Sequence, residues 1–470
     1  MGAKKAKLNL DFGYSGVSMN FAVANDIQSR DGVENEWSVG TLNFNAEEFE
    51  DFPGIAQNRI DENRIKSIAS CIEKNIIEWQ RVHGCDFDSL MEVTISANFF
   101  DVLFSPFSFK SAKPMTITED DMKRIEECKH SEKMFQTPIP GEKIRSFTSP
   151  YFTIFDEKED TVRILNPVGS KTKSLGFDAY FITKHPMLSR LLEIMPEADE
   201  KIRVSLSCEK EFMALASKRE KEGKAALIHI TDTFSEFSVW DKSELKYLNK
   251  KEMGLRELKE ILWRLCLCYH KNPKLTEHDF ELRQKSEYMH RFYNMVKNTE
   301  ISDDSKELLS ADDCLDLLEG TSCVFDNEAE TGDDEIFKYR RFGLPGKNKT
   351  KTKLTVSSYI LCYFIREVIR NLFMEIKRTM YTDNFCKPDF ILLECSLPLK
   401  GIEKLANEVF EIPARKAFVK WDGEIRGDLS SAAVGALQTL IAGEERKTGA
   451  EKMKKTSKLA AFFEHFFKTS

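Results

Sequence analysis

Apolar positions near the start of the chain predict two strands followed by a helix. In "AKLNLDFGYSGVSMNFAVAN", residues 6–25, apolar and polar residues alternate on both sides of Gly13 and Gly16, which is typical of strands joined by a tight turn. "RIKSIASCIEKNIIEWQRVHG" then has a helical repeat, with isoleucines and Trp79 on one face and Gly84 at its end.

The next hundred residues contain both strand-forming and helix-forming patterns. "LMEVTISANFFDVLFSPFSF" is rich in strand-forming residues, and "TITEDDMKRIEECKH" begins with the helix-capping pattern of Thr118 and Asp121. Three further strands are predicted in "YFTIFDE", "TVRILNPVG" and "GFDAYFIT", followed by a helix in "PMLSRLLEIM".

The second half repeats this order of elements. "KAALIHITDTFSEFSVWD" predicts another strand–turn–strand unit, and "NKKEMGLRELKEILWRLCLCY" predicts the helix behind it. Residues 270–385 are mainly helical in pattern, "PDFILLECSLPLKGIEKLANEVF" predicts a buried strand, a loop and a helix, and "LSSAAVGALQTLI" predicts a closing helix. The chain therefore contains a weak duplication of architecture without a sequence repeat.

The last residues form an amphipathic pattern behind the polar linker "AGEERKTGAEKMKKTS". The apolar stripe consists of Leu459, Phe462, Phe463, Phe466 and Phe467, and the basic residues beside it include Lys455, Lys458 and Lys468. An apolar face next to lysines on a linker favours a helix that lies on an anionic membrane surface. The alternative is a helix that docks into the chain's own core or into a partner groove.

Composition narrows the class of protein. A chain of 470 residues with 41% hydrophobic and 31% charged residues predicts two or more ordinary globular domains. The net charge of −8 gives no drive toward nucleic acid, and neither a spanning stretch nor a signal core is present. We interpret the eleven cysteines as reduced thiols, and neither they nor the eight histidines form a metal motif, so we predict no metal site and no catalytic nucleophile.

Two charged runs interrupt the second half. The acidic run, from Ser302 to Glu335, does not fit a calcium loop because Gly332 is out of register with Asp326. The basic run, residues 338–353, could meet phosphate or lipid. We interpret both runs as solvated loops.

The order of all these segments resembles FtsA, the actin-like family of bacterial cell division. "LNLDFGYSGV" and "ALIHITDTFSEFSVW" stand where the family has its two phosphate-binding hairpins, and "FILLECSLPLKGIEKLANEVFEIPARKA" resembles its adenosine loop. "LTEHDFELRQKSEY", which contains Glu281, is similar to the helix segment that touches the adenosine. The strands and helix between residues 86 and 182, with a turn at Asn166 to Gly169, resemble the family's β-α-β-β insertion.

The resemblance implies an α/β, actin-like fold of two domains with a nucleotide cleft and an FtsA-type insertion subdomain. It divides the chain into subdomain 1A (1–85 and 183–203), insertion subdomain 1C (86–182), subdomain 2A (204–270 and 385–442), helical subdomain 2B (271–384), a flexible linker (443–453) and a membrane-targeting helix (454–470).

The nucleotide-binding pattern is retained in the first hairpin and altered in the second. Asp11, Gly13, Ser15 and Gly16 keep the acid, the glycines and the small hydroxyl residue that the family places around phosphate. In the second hairpin, His229 replaces the family's Asp and "TDT" at 231–233 replaces its glycines.

These changes oppose nucleotide binding. Three Cβ atoms are expected to block the close approach of phosphate, and the carboxylate of Asp232 is expected to repel it by a few kcal/mol at an effective dielectric of about 20. The adenosine loop also has Glu394-Cys395-Ser396-Leu397 in place of a small, glycine-rich turn.

The resemblance and these changes together predict an FtsA-type scaffold without catalytic residues, ATP hydrolysis or a cofactor. Its implied partners are the C-terminal tail of the tubulin homologue FtsZ, docked on 271–384, further copies of the chain, other division proteins and anionic lipid. Its implied location is the cytoplasmic side of the cell membrane at the division site. Two alternatives stay open: an FtsA-like protein that still binds ATP and magnesium, or another actin-like branch such as a pilus-assembly protein or a chaperone-like ATPase. The basic amphipathic tail argues against the pilus-assembly branch, whose members do not usually end in this way.

Overall fold

The structure, a computed structural model of the chain, describes the following residues: 4–13, 16–29, 32–43, 62–129, 143–155, 161–194, 202–271, 286–300, 340–344, 352–356, 358–382, 387–397, 399–421, 424–425 and 429–442. The expected linker (443–453), membrane helix (454–470) and acidic run (302–335) lie outside these residues. Within the described ranges, no helix combines the length and the apolar composition needed to cross a bilayer.

The first half is built on a five-stranded sheet. Its strands are β1 (Lys4–Phe12), β2 (Val17–Ser29), β3 (Gly32–Asn43), β4 (Cys85–Ile95) and β9 (Ile202–Leu206). Their spatial order is β3-β2-β1-β4-β9; β2 is antiparallel to β1 and β3, whereas β1, β4 and β9 are parallel. Leu8, Leu10 and Phe12 alternate along β1 and are buried. Helices α1 (Glu62–His83) and α3 (Pro186–Ile194) pack together in this half.

The second half is built on a sheet of the same topology. Its strands are β10 (Lys224–Ile230), β11 (Ser235–Asp241), β12 (Glu244–Lys251), β15 (Phe390–Cys395) and β16 (Ala414–Lys416). Their order is β12-β11-β10-β15-β16, again with an antiparallel meander on one side and parallel strands on the other. Two α/β halves that share one strand order and face each other across a cleft form the actin-like ATPase fold, so the fold expected from the sequence is confirmed.

Helices precede, connect and follow the strands of the second sheet along the chain. They are α4 (Ser207–Leu215), α5 (Lys218–Glu222), α6 (Leu255–Lys271), α7 (Ser286–Lys297), α8 (Ser358–Thr382), α9 (Ile402–Phe410) and α10 (residues 431–442). Helix α8 packs on α6 and α9, and α7 packs on α6. One apolar cluster runs through both halves, from Leu10 on β1 to Phe410 on α9.

A separate four-stranded antiparallel sheet is inserted between β4 and β9. Its strands are β5 (Phe100–Thr116), β6 (Lys143–Phe155), β7 (Thr161–Ile164) and β8 (Lys171–Lys184), in the spatial order β5-β8-β6-β7. Helix α2 (Glu119–Lys129) lies between β5 and β6 in the chain. The short 3-10 helix Ala97–Phe99 leads into it from β4.

The inserted unit has a core of its own, which includes Ile117, Leu175 and Phe177. Thr118 and Asp121 exchange hydrogen bonds at the start of α2, as the capping pattern predicts. The unit has one strand more than the expected β-α-β-β order, because β6, β7 and β8 are all separate strands.

Two predicted elements are wrong in detail. The helix expected from Asn249 begins only at Leu255, because residues 249–251 pair with β11 as the end of β12. The basic run is not all loop, since β13 (Arg340–Leu344) and β14 (Thr352–Val356) form an antiparallel hairpin around its centre. A second small hairpin joins β17 (Lys420–Trp421) to β18 (Glu424–Ile425).

Candidate functional site

The cleft between the two halves contains a cavity of about 590 Å³. Its floor lies at the carboxyl ends of central strands, with Asp11 on β1, His229 on β10 and Glu394 on β15. Ligands of α/β proteins commonly bind at this end of a sheet, and the volume is in the range of small-molecule sites. The cleft is therefore the candidate functional site.

Asp11 is held by a chain of buried hydrogen bonds. Asn20 Nδ2 donates to Asn9 Oδ1 (3.2 Å), Asn9 Nδ2 donates to Thr94 Oγ1 (3.2 Å), and Thr94 Oγ1 donates to Asp11 Oδ1 (2.7 Å). From the second half, Ser430 Oγ donates to Asp11 Oδ2 at 2.6 Å. These hydrogen bonds lower the pKa of the Asp11 carboxyl, but burial has the larger effect and raises it above its usual value. Both carboxylate oxygens thus already have a donor from the chain.

The turn of the first hairpin is tight and lines the cavity. Gly13 N–H donates to Gly16 O at 2.9 Å, and Gly16 has φ +151°, a backbone conformation that favours glycine. Ser15 lies outside the described residues. The first hairpin therefore keeps the glycines that a close backbone approach requires.

His229 stands between two carboxylates because of the strand register. On β10 it pairs with Glu394 of β15, which places the two side chains next to each other, and Glu211 approaches from α4. His229 Nδ1 lies 3.1 Å from Glu211 Oε1 and 3.7 Å from Glu394 Oε2. Burial alone would lower the pKa of His229, but the charges of Glu211 and Glu394 raise it to about 10. With no other cation bound, the ring is an imidazolium at neutral pH.

The start of helix α10 connects the acidic groups of the two halves. Ser431 Oγ lies 2.7 Å from both carboxylate oxygens of Glu394, and its neighbour Ser430 reaches Asp11. Ser430 also caps the helix, since its Oγ accepts a hydrogen bond from Ala433 N–H at 3.1 Å. One helix terminus thereby fixes Asp11 in the first half relative to Glu394 in the second.

The turn of the second hairpin is held by hydrogen bonds within the turn and to the start of helix α6. Thr231 Oγ1 donates to Phe234 O at 2.9 Å, and the carbonyls of Thr231 and Asp232 accept from Leu255 and Arg256 at the start of α6. Lys259 Nζ lies 2.5 Å from Asp232 Oδ2. The expected repulsion of phosphate by Asp232 is therefore corrected, because a neighbouring ammonium offsets its charge.

A partly buried lysine also joins the two halves. Lys250 on β12 donates to Ala97 O at 2.7 Å and to Phe100 O at 2.6 Å, and it lies 3.7 Å from Asp101. Together with the bond between Ser430 and Asp11, this contact ties the halves through side chains of the protein itself.

Several buried polar atoms at the cavity have no partner in the described structure. They are Ser96 Oγ, Ser207 Oγ and Glu211 Oε2, and all three residues line the cavity. Unsatisfied buried polar atoms are uncommon and often mark a place where water, an ion or a ligand binds. The centre of the cleft is therefore acidic, partly unsatisfied and suited to a cation.

Of the residues singled out in the sequence, Asp11, Gly13, Gly16, His229 and Asp232 all line the cavity. Glu281, like Ser15, lies outside the described residues, as do the membrane-binding residues Lys455, Lys458, Leu459, Phe462, Phe463, Phe466, Phe467 and Lys468.

No sequence pattern predicts the roles of Glu211, Ser430 and Ser431, and Glu394 was expected only to obstruct the adenosine loop. No metal-ligating group was expected, whereas the structure brings ligand atoms of Glu211, His229 and Glu394 within 4.8 Å of one another. No sequence motif links these residues, because they come from different elements.

No protein-family model matches the chain, and no curated protein matches its sequence. Solved structures with a similar fold include the PilM–PilN type IV pilus biogenesis complex, at 10% identity and a TM-score of 0.42 over 92% of this chain and 98% of that one. Another is MreB5 of Spiroplasma citri bound to ADP, at 10% identity and a TM-score of 0.42 over 95% and 98%. The ethanolamine utilization protein EutJ from Carboxydothermus hydrogenoformans has 8% identity and a TM-score of 0.34 over 92% and 89%. At these values the likeness carries no information about function.

Proposed function

We propose that this protein is an actin-like scaffold that assembles on the cytoplasmic face of the membrane and tethers FtsZ polymers there, without turning over ATP. The observation that supports the absence of turnover is the centre of the cleft. Asp11, Glu211 and Glu394 converge there with a single histidine between two of them, and Asp11 and Glu394 receive hydrogen bonds from the chain itself.

Such a centre disfavours a triphosphate. Two like charges 4 Å apart repel by about 4 kcal/mol at an effective dielectric of 20. His229 and Arg256, which also lines the cavity, cannot together offset three carboxylates and the charges of a triphosphate. The tethering part of the proposal is supported by the basic amphipathic pattern of residues 454–470 and by the resemblance of the whole chain to FtsA.

The proposal predicts that the purified protein neither hydrolyses ATP above background nor binds it in the low micromolar range. Calorimetry with ATP and magnesium measures binding, and phosphate release measures hydrolysis. Micromolar affinity would support the alternative of an FtsA-like protein that still uses ATP.

A second candidate function is a role in pilus assembly. It is the alternative that the sequence leaves open, and the basic tail opposes it. The two functions differ in partner, so the chain should be titrated with a peptide of the FtsZ C-terminal tail and, separately, with a PilN protein. Binding of the FtsZ peptide alone supports the tether, whereas binding of PilN alone supports a role in pilus assembly.

A further inference from the structure

We propose that Glu211, His229 and Glu394 form a binding site for one divalent transition-metal ion of the zinc type, held directly by the protein in the centre of the cleft. This inference does not depend on the tethering function, since it concerns the ion that the three side chains bind and not the partner of the scaffold.

The spacing of the ligand atoms fits such an ion. Zinc binds imidazole nitrogen and carboxylate oxygen at about 2.0–2.2 Å, so adjacent ligands of a tetrahedral site lie about 3.3 Å apart. His229 Nδ1 is 3.1 Å from Glu211 Oε1 and 3.7 Å from Glu394 Oε2, on either side of that value. All three ligand atoms lie within 4.8 Å of one another, so only small side-chain movements are needed.

The charges also fit. The charges of two carboxylates balance those of a divalent ion bound to them and to a neutral imidazole. A single proton in place of the ion leaves the same three groups with a net negative charge. The metal would take the place of the proton on Nδ1, as is usual when histidine becomes a ligand. An imidazole ligand favours zinc and its neighbours over magnesium, which prefers oxygen ligands only.

A further observation, independent of the three ligands, points to an occupant. Ser96 and Ser207 are almost fully buried, line the same cavity, and have hydroxyl oxygens without a partner in the described structure. Their hydroxyls are available to a water or another ligand bound in this cavity. Ser431 meanwhile bonds both oxygens of Glu394 at 2.7 Å, which is the type of outer contact that orients a metal ligand.

The site would keep one coordination position open. Three protein ligands leave a fourth position toward the cavity of about 590 Å³, which is how catalytic or exchangeable zinc sites differ from closed structural ones. An anionic oxygen of a small molecule could occupy that position.

The test uses the full-length protein after removal of metal by a chelator. Titration with Co²⁺ should give one equivalent per chain with the intense visible bands of a four-coordinate site, and Zn²⁺ should abolish those bands. His229→Ala and Glu394→Gln should each abolish them, whereas Asp232→Asn, which alters a carboxylate of the same cavity outside the triad, should not.

Ser431→Ala keeps all three ligands, so it tests the site even if the ligand variants fail to fold. It should weaken Co²⁺ binding by about 10–100-fold, with an unchanged circular dichroism spectrum. Absence of Co²⁺ uptake, thiolate charge-transfer bands that indicate cysteine ligands, uptake that requires added ATP, or bands that persist in folded His229→Ala would each overturn the proposal.

Discussion

At the residue scale, a glycine allows the closest approach between α10 and α4. A Cβ on Gly435 would lie 2.0 Å from Lys210 O and 2.7 Å from Lys210 C, which are backbone atoms that cannot move aside as a side chain does. The glycine is therefore needed where α10 carries Ser430 and Ser431 to the cleft.

Gly435→Ala should consequently destabilise the protein by about 2–3 kcal/mol, the cost of overpacking a tight contact. Urea unfolding followed by circular dichroism measures the change. Gln438→Ala, on the exposed side of the same helix, should stay within about 0.5 kcal/mol of the wild type. Equal stabilities of the two variants would show that α10 can shift away from α4.

Residue patterns also show what a sequence can reveal of this site. Alternation predicted both hairpins locally, and the resemblance to the FtsA phosphate-binding hairpins then singled out Asp11, Gly13, Gly16 and His229 within them. Glu211 was missed because its role arises from a contact made across the fold, since α4 presents it to a strand end. The charge of Asp232 was misjudged for the same reason, because its partner Lys259 lies on the next helix.

At the element scale, helix α5 and strand β16 are joined by one carboxylate. Glu220 Oε2 accepts from Ser217 N–H at 2.7 Å as part of a capping box, and the two Glu220 carboxylate oxygens accept from Arg415 at 2.7 and 2.6 Å. Burial opposes ionisation of Glu220, but the bonds from Arg415 and Ser217 outweigh it and lower the pKa of the carboxyl.

Because the pKa of Glu220 is lowered in the folded protein, the free energy of unfolding depends on pH. The stabilisation by Glu220 is fully present above the unfolded value of about 4.3 and is lost as pH falls through the lower folded value. Glu220→Gln should therefore be less stable than the wild type near neutral pH, and the difference should shrink in acid. Urea unfolding across a pH series checks this, with the exposed Glu222→Gln as control; a difference that is constant with pH would contradict it.

Elements that the sequence predicted well have strong periodicity, as in α1 and the buried β10 and β15. Strands β3 and β12 were missed, because each is the outer strand of a meander and its pairing depends on the preceding strand. Strand β12 also runs directly into the polar start of the helix pattern, which hid its boundary at Lys251.

At the scale of the whole molecule, polar side chains link the two halves, and Lys250 makes one of these links. Its ammonium donates to two carbonyls of the segment that leads into the inserted sheet, Ala97 and Phe100. Hydrogen bonds to a charged group contribute about 1.5–3 kcal/mol.

Lys250→Met should therefore speed amide hydrogen exchange around residues 97–101 by at least about 10-fold, through more frequent local opening. Exchange detected by mass spectrometry measures this. Lys246→Met is the matched control on the same strand, since Lys246 is more exposed and contacts Glu244 within β12. Unchanged exchange in Lys250→Met would mean that contacts other than those of Lys250 hold this segment in place.

Membrane recruitment is expected to depend on assembly. A fully buried Phe or Leu contributes roughly 1.5–3 kcal/mol, and partial burial at a lipid surface contributes less. Nearby lysines add about 1 kcal/mol each on an anionic membrane, whereas ordering the backbone costs roughly 1–2 kcal/mol per residue. One tail should thus bind marginally, and several tails held in a row should bind 10²–10⁴-fold more tightly.

Co-sedimentation with anionic liposomes tests this dependence. Phe462→Glu combined with Phe466→Glu should abolish sedimentation of the full-length protein, and added salt should weaken that of the wild type without abolishing it, because the apolar contribution remains. Phe418→Glu is the control, since Phe418 is an exposed phenylalanine of the folded body. In a liposome flotation assay, which separates liposomes from free polymers, addition of FtsZ polymers should increase the liposome-bound fraction of the wild type and leave the double variant unbound to lipid. If the double variant still sediments with liposomes, the phenylalanines of the tail serve a protein groove, and the membrane anchor lies elsewhere in the chain.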